Sequence, residues 1–246
     1  FELVTKVGDD GLETVEQMRQ AGINVRNYAS AHIMFFENIY GEDQNDRTQK
    51  VRAKADAFTI DEMKDVEAGV FHLGSLLADD FSPELVRYLS TKGRISIDAQ
   101  GYLREVRGED VFAIDWADKR DILAYTDVLK VNEREMQVIT GEAEPHDAAR
   151  TLASWGVKEA QGKLGSYGSI ILADGHFYNI PAYAPREIVD ATGCGDTYSA
   201  GYLYSRAQGA SITEAGCYAA AMCTLKLEHS GPFDRSEDDV VRVMKG

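Results

Sequence analysis

The sequence predicts an α/β protein with a doubly wound, mostly parallel sheet flanked by helices, together with a small antiparallel β lid. Two observations support this fold class. Apolar runs of strand length alternate with helical segments from residue 69 to the end of the chain, as in parallel sheets with crossover helices. Between residues 32 and 57, two extended segments flank a polar run, which is typical of a hairpin.

The first part of the chain begins like the end of a strand followed by a turn. Apolar residues at helical spacing predict a helix over residues 11–24, with Gly22 as its stop. Residues 32–40 and 49–57 are predicted as extended segments, and the polar residues 41–48 as the turn between them. We therefore expect lid strands over residues 32–57, and one α/β domain over residues 1–31 and 58–246.

The rest of the chain alternates between the two types of element. Ser82 and Pro83 predict the start of a helix, because serine caps helix N-termini and proline suits the first helical position. The predicted elements are strands over 69–76, 94–101 and 127–132, helices over 82–93, 133–141 and 146–156, a hairpin over 167–182, and helices over 196–208, 212–228 and from residue 236.

The charge balance limits the classes of ligand. The chain has 246 residues and a net charge of −15, whereas a nucleic-acid site needs a basic surface. A site for a polyanion would have to create positive potential locally, from backbone N–H groups, a few lysines or arginines, or a metal. The longest apolar runs are too short to cross a bilayer. Three cysteines outside any metal-binding pattern predict reduced thiols and a cytoplasmic protein.

The stretch "DATGCGDTYSAGYL" carries the main chemical signal. Gly193, Cys194 and Gly195 come directly before a predicted helix. The first N–H groups of a helix have no intrahelical acceptor and carry the positive end of the helix dipole. Glycines allow a ligand to approach this backbone closely. The pattern therefore predicts an anion site suited to a phosphate.

Asp196 follows these glycines and has two interpretations. It complements the helix dipole in the first turn, which is the favoured interpretation from spacing alone. Alternatively it is a base that takes a proton from a hydroxyl attacking a phosphoryl group at the same helix end.

Two weaker patterns accompany this stretch. Asn132 and Glu135 form an Asn-x-x-Glu pair after a strand, which favours a capping box, although a carboxylate and an amide at a strand end could also help to hold Mg²⁺. Gly165 and Gly168 in "KLGSYGS" are explained equally well by a turn into the hairpin and by a close backbone approach to a nucleotide.

Together these patterns resemble the ribokinase-like (PfkB) family of sugar and nucleoside kinases. "DATGCGD" fits the family's D-x-x-G-x-G-D signature, and "VNEREMQVITG" fits its N-x-x-E motif. "KLGSYGS" resembles its nucleotide loop, "VGDDG" the turn after an early strand, and "GPF" at 231–233 a segment near its C-terminus. The resemblance implies a ribokinase-like fold over nearly the whole chain.

The resemblance also implies roles for individual residues. Asp196 would be the catalytic base, and Gly193, Cys194 and Gly195 the anion hole. Asn132 and Glu135 would bind Mg²⁺ and phosphate, with Glu135 acting through water. Lys163, Gly165 and Gly168 would bind ATP. A monovalent cation, K⁺ in many members, would bind near Asp190 and Thr192.

The expected function is ATP-dependent phosphorylation of a hydroxyl on a small sugar, polyol or nucleoside. Asp98, Gln100 and Arg104 follow a predicted strand and either face the acceptor or lie in a surface loop. The family's N-terminal Gly-Gly segment and acceptor-binding aspartate have no counterpart, and we expect them upstream of Phe1. A pyridoxal-like vitamin kinase and a non-catalytic ligand sensor remain alternatives. Apolar residues on both faces of the lid strand predict a homodimer formed through the lid.

Overall fold

The structure, a computed structural model, describes residues 1–40 and 47–246. The chain forms two compact units. The first consists of Phe1–Phe71, Ser75–Gly93 and Gln100–Asp118, and the second of His72–Gly74, Arg94–Ala99 and Lys119–Gly246. No helix within the described part of the chain is long and apolar enough to span a membrane.

Strands and helices alternate along much of the chain. The strands in the described residues are β1 (Leu3–Val7), β2 (Val25–Ala29), β3 (Phe35–Tyr40), β4 (Arg47–Ala53), β5 (Val70–Gly74), β6 (Arg94–Asp98), β7 (Arg104–Arg107), β8 (Asp110–Ala113), β9 (Val128–Asn132), β10 (Glu159–Lys163), β11 (Ser169–Ala173) and β12 (His176–Ile180). The helices there are α1 (Leu12–Gln20), α2 (Ile60–Met63), α3 (Pro83–Ser90), α4 (Lys119–Leu123), α5 (Glu133–Thr140), α6 (Pro145–Ser154), α7 (Cys194–Ala207), α8 (Ile212–Leu227) and α9 (Glu237–Lys245).

A six-stranded sheet has the order β12-β11-β10-β9-β6-β5. Strand β9 pairs in parallel with both β6 and β10, whereas β11 pairs antiparallel with β10 and β12. Helices cover both faces of the second unit's part of this sheet. Tyr198 and Tyr202 of α7 pack with Ile171 on one face. On the other, a Cβ added at Gly162 would lie 2.9 Å from Met136 Sδ of α5. The predicted doubly wound, mostly parallel sheet is confirmed.

A second, antiparallel sheet lies in the first unit and has the order β3-β4-β8-β7. Strands β3 and β4 are the two extended segments predicted for the lid. Strands β7 and β8 were not predicted, and they extend this sheet to residues 104–113 through a tight turn in which Gly108 has φ +66°. Residues 41–46 of the predicted turn lie outside the described residues, and 47–48 belong to β4.

The first unit also holds the parallel pair β1 and β2, on which α1 packs. Val7, Val15 and Val25 form the buried contact. Local signals account for the helix starts that the sequence predicts. Ser82 accepts a hydrogen bond from the Leu85 amide at the start of α3, because its hydroxyl satisfies a first-turn N–H that has no acceptor in the helix.

Candidate active site

Helix α7 begins on a left-handed glycine. Gly193 is its N-cap with φ +78°, and no side chain caps this end. The Thr197 amide donates to the Gly193 carbonyl over 2.9 Å, which is the first hydrogen bond of the helix. Of the preceding N–H groups, that of Cys194 donates to the Ala191 carbonyl over 3.3 Å. The others have no intrahelical acceptor, and the helix dipole adds positive potential there. The start of α7 therefore has the properties of the predicted anion hole.

The Asp196 side chain lies in the first turn of α7 and is exposed. Among the described residues, none donates a hydrogen bond to its carboxylate or pairs with it as an ion. The side chain therefore does not cap the helix, although its charge still complements the dipole. A carboxylate without such a hydrogen bond or ion pair is available to accept a proton from a ligand.

Lys130 lies directly against Gly195. A Cβ added at Gly195 would be only 2.7 Å from Lys130 Nζ, so a glycine is required if the lysine keeps this position. The Lys130 side chain is 10% exposed and forms an ion pair with Asp98, which is 7% exposed. A buried ammonium group thus lies beside the first turn of α7, where it adds to the positive potential.

The ends of neighbouring parallel strands bring these groups together. Asp98 of β6 is in register with Lys130 of β9, and Asn132 at the end of β9 is in register with Lys163 of β10. The carboxyl ends of parallel strands are the usual place for ligand sites in open α/β sheets. The site residues of β6, β9 and β10 therefore lie at the edge where chemistry is expected.

Asn132 and Glu135 form the predicted capping box of α5. The Glu135 amide donates to the Asn132 side chain, and the Glu135 carboxylate accepts from the Asn132 amide, each over 2.9 Å. The capping prediction is confirmed. The same carboxylate also accepts from Asn132 Nδ2, and because a carboxylate can accept several bonds, a water-mediated contact to Mg²⁺ is compatible with this arrangement. No cluster of three or more metal-ligating side chains occurs among the described residues.

The "KLGSYGS" segment borders a cavity of about 580 Å³. Lys163, Gly165 and Gly168 line it, and it is otherwise lined largely by small or apolar residues, among them Ala182, Ala184, Ala220 and Leu227. Gly168 has φ +92° and an added Cβ there would collide with the Ile180 carbonyl. The glycines therefore form the turn that leads into the hairpin, as one interpretation predicted. The same turn also forms one wall of the cavity.

Cys194 and Cys223 contact each other, and both line this cavity. The Cys223 thiol donates to the Cys194 carbonyl over 3.0 Å. Burial raises the pKa of both thiols, that of Cys223 to about 11. Both therefore stay protonated near neutral pH, and Cys194 can serve the anion hole only through its backbone.

His72 in the middle of β5 was not predicted as a site residue. Its Nδ1 lies 3.0 Å from the Ser96 hydroxyl. The pKa of the imidazole is lowered, mainly by burial and further by the Lys130 charge. The carboxylates of Asp98 and Asp196 act in the opposite direction but do not outweigh the burial. The residue as a whole nevertheless has an exposed surface. These interactions place a neutral, reachable imidazole beside the Lys130–Asp98 pair.

Asp190 and Thr192 lie on the other side of the α7 start. The Thr192 amide donates to Asp190 Oδ1 over 2.9 Å, and this bond lowers the pKa of the carboxyl group. Lys226 of α8, whose side chain is 3% exposed, lies 3.9 Å from Asp190 Oδ2. These residues, together with Asp196 and the "GPF" segment, line a second cavity of about 530 Å³.

The three residues suggested for acceptor binding have different surroundings. Asp98 belongs to the second unit, where Lys130 engages its carboxylate. Gln100 and Arg104 belong to the first unit. Gln100 precedes a short 3₁₀ turn, and the Arg104 guanidinium lies 5.8 Å from the Phe36 ring of the antiparallel sheet. Their role in acceptor binding stays a prediction.

Comparisons with known proteins decide the family. The family model described as "pfkB family carbohydrate kinase" matches residues 2–238. The chain belongs to the pfkB family of carbohydrate kinases. It is 28% identical to a cytidine kinase of Thermococcus kodakarensis over 221 residues, which are 86% of this chain and 76% of the relative.

Solved structures agree with this assignment. A sulfate complex of a pyrophosphate-dependent kinase in the ribokinase family is 30% identical, with a TM-score of 0.87 over 98% of this chain and 85% of that one. A complex of such a kinase with a pyrophosphate analogue and myo-inositol is 29% identical, with a TM-score of 0.86 over 98% and 85%. The chain is therefore a ribokinase-fold phosphotransferase.

Sequence reasoning missed three residues that the structure brings to the candidate site of this pfkB kinase: Lys130, His72 and Lys226. Lys130 and His72 lie within predicted strands, where a polar residue in an apolar run is a usable signal of a site. Lys226 lies near the end of a predicted helix, where a basic residue is ordinary. Its location in the site depends on the tertiary fold.

Proposed function

We propose that this pfkB kinase transfers a phosphoryl group to a hydroxyl of a small sugar, polyol or nucleoside, with Asp196 as the base. The observation that carries the proposal is the exposed Asp196 carboxylate beside the α7 N-terminus, next to Gly195 and the Lys130 ammonium. A base and an anion site within one helical turn are the two groups that this reaction needs.

In this mechanism Asp196 accepts the proton of the acceptor hydroxyl as its oxygen bonds to the phosphorus. The bond from phosphorus to the bridging oxygen breaks, and the remainder of the donor leaves with the electron pair. The backbone N–H groups at Gly193, Cys194 and Gly195, with Lys130 beside them, stabilise negative charge on the transferred group. Lys163 at the end of β10 binds the remaining phosphates.

Asn132 and Glu135 would hold Mg²⁺ through water at the end of β9. When bound, the ion would neutralise charge on the donor phosphates. The capping box fixes the Glu135 side chain by hydrogen bonds from the Asn132 backbone and side chain. This order presents the carboxylate in one orientation, so it can position metal-bound water without direct coordination.

ATP is the donor that the cavity beside Lys163 favours. The small and apolar residues around its volume of about 580 Å³ leave space for a nucleoside next to the phosphate-binding lysine. Pyrophosphate is the second candidate, because the similar structures described above are of pyrophosphate-dependent kinases. It needs only the phosphate-binding part of the site.

The acceptor class follows from the exposed polar groups near Asp196. A neutral imidazole at His72 can donate a hydrogen bond to a hydroxyl or accept one from it. The imidazole also lies close enough to Asp196 for the two groups to interact electrostatically. Such groups suit an uncharged polyhydroxylated molecule. Cytidine, ribose and myo-inositol represent a nucleoside, a sugar and a polyol, and they correspond to a cytidine kinase, a ribokinase of Arabidopsis thaliana and the myo-inositol complex among the similar proteins.

A matrix of donors and acceptors tests the proposal. ATP and pyrophosphate with Mg²⁺ would be combined with cytidine, ribose, myo-inositol and pyridoxal, and the products detected by ³¹P NMR. We expect transfer to at least one polyhydroxylated acceptor and its loss in Asp196→Asn. Transfer only to pyridoxal would favour the vitamin kinase. Thermal stabilisation by ligands without any transfer would favour a ligand sensor.

A further inference from the structure

The resemblance to the pfkB kinases implies a monovalent cation near Asp190 and Thr192, and the side chains around these residues do not fit one. A potassium site is built from several oxygen atoms, commonly backbone carbonyls. Three oxygens at this place are the Asp190 carbonyl, Asp190 Oδ2 and the His229 carbonyl. A side-chain ammonium group already engages all three.

That group is the ammonium of Lys226. Lys226 Nζ donates to the His229 carbonyl over 2.9 Å and to the Asp190 carbonyl over 3.5 Å, and it lies 3.9 Å from Asp190 Oδ2. A lysine ammonium is a compact positive charge with three donors, so it satisfies carbonyls and a carboxylate as a small cation would. Its side chain is only 3% exposed.

Lys226 also connects the segments that shape the catalytic loop. Its Cε would lie 3.8 Å from a Cβ added at Gly193, the N-cap of α7. Nearby, the amides of Val189 and Asp190 both donate to the Leu227 carbonyl, over 2.8 and 3.2 Å. The end of α8 therefore holds the chain that leads into the anion hole, and the Lys226 charge lies at the centre of this contact.

We propose that Lys226 takes the place of the monovalent cation, as a built-in positive charge that positions the Asp190–Gly193 segment and makes the protein independent of K⁺. A second cation beside a buried ammonium would be repelled by it and would find its oxygen ligands already occupied. The statement about turnover rests on the proposed kinase function, whereas the statement about cation binding does not.

The first test uses the unmodified protein. Its melting temperature would be measured in the chlorides of choline, sodium, potassium and ammonium at constant ionic strength. We expect no difference between potassium and choline. On an acceptor identified in the matrix above, kcat should agree within about twofold across the same salts. Specific stabilisation by potassium, or activation by it of fivefold or more, would overturn the proposal.

The second test removes the ammonium. Lys226→Ala leaves the same oxygens around an opened space, so we expect a lower melting temperature that potassium or ammonium partly restores. On an active acceptor, kcat should fall and recover with the same ions. Lys226→Met fills the space without charge and should show neither recovery. Lys245→Ala, which removes an exposed lysine from the last turn of α9, is the matched control and should behave like the unmodified protein.

The outcomes separate the two proposals. If no acceptor is phosphorylated, the kinase function fails while the melting temperatures still decide the role of Lys226. If Lys226→Ala does not fold, the salt series on the unmodified protein is decisive by itself. Recovery of Lys226→Met by potassium, or failure of potassium and ammonium to restore a folded Lys226→Ala, would contradict the proposed replacement.

Discussion

Lys130 Nζ occupies the space in which a side chain at Gly195 would begin, 2.7 Å from the Cβ of an alanine at that position. The ammonium belongs to a long side chain that could move, but its ion pair with Asp98 holds it in place. Any residue larger than glycine must therefore displace either the charge or the anion-hole backbone.

We expect Gly195→Ala to impair catalysis more than folding. A shift of about 1 Å in a positioned group can cost roughly 10²-fold in rate, and we expect a loss of that order in kcat. In a Lys130→Ala background the same substitution should cost much less, because the obstructing group is gone. Steady-state kinetics of the two single variants and the double variant measure this coupling. Additive losses would show that the two residues act independently.

Asp196→Asn should separate ligand binding from chemistry. The change keeps the size of the side chain and removes the base, and we expect kcat to fall by ~10²–10⁴. Nucleotide affinity should hold or rise, because a negative charge beside the phosphate site is lost. The melting temperature should change little, since no described residue is hydrogen-bonded to this carboxylate. Asp234→Asn, at an exposed position in the chain before α9, is the control. Near-normal turnover in Asp196→Asn would assign Asp196 a purely structural role.

The elements that the sequence predicts correctly are those fixed by local interactions. The capping box of Asn132 and Glu135 and the serine cap of α3 act within one helical turn. Strand β10 was missed because "EAQGK" has no apolar run. Its stability comes from distant partners, including Arg94 and Arg206, which pair with Glu159.

The residues of the candidate site also fall into two groups, those within one local motif and those brought together by the tertiary fold. The anion-hole glycines and Asp196 lie in one continuous motif and can be predicted from it. The contacts of Lys130 with Gly195, and of Lys226 with Asp190, join residues that are far apart in the chain. Residue spacing contains no information about such contacts. Lys226 therefore could not be assigned to the site, and the only sequence signal of Lys130 was a polar residue within an apolar strand.

Stability should fall in mild acid because of His72. Burial holds the pKa of the native imidazole below its ordinary value of 6.5. Between that value and the lowered native pKa, the unfolded chain binds a proton that the native chain does not. The stability that His72 contributes is thus fully present above pH 6.5 and is lost as the pH falls toward the native pKa. His72→Gln should flatten this part of the curve in urea unfolding measured at several pH values.

A control substitution shows whether the effect belongs to this site. His176→Gln removes an exposed histidine from the first position of β12 in the same unit. We expect this variant to keep the acid dependence of the unmodified protein. An unchanged slope in His72→Gln would mean that other groups dominate the dependence.

The antiparallel sheet should mediate a homodimer. Strand β3 lies at one edge of the sheet and carries exposed Phe35 and Ile39, and Phe112 on β8 is also exposed. An exposed apolar edge strand is a template for pairing with another chain. We expect a dimer in sedimentation velocity at micromolar concentration and a monomer for Phe35→Lys/Ile39→Lys. Ile23→Lys, at an exposed apolar position outside this sheet, should remain dimeric. A monomeric unmodified protein would contradict the prediction.

Filling the cavity beside Lys163 should distinguish the two donors. Ala184 lines the cavity and is exposed, so a large side chain can enter the space without disturbing the core. Ala184→Trp should raise the KM for ATP at least roughly tenfold, because the nucleoside loses its place, and leave the acceptor KM unchanged. Any turnover with pyrophosphate should persist, since that donor needs only the phosphate-binding groups.

The matched substitution Ala113→Trp, at an exposed position of β8 in the other unit, controls for the effect of a surface tryptophan. If Ala184→Trp left the ATP KM unchanged, the nucleoside would bind elsewhere. If it weakened both donors equally, the cavity would not select between them.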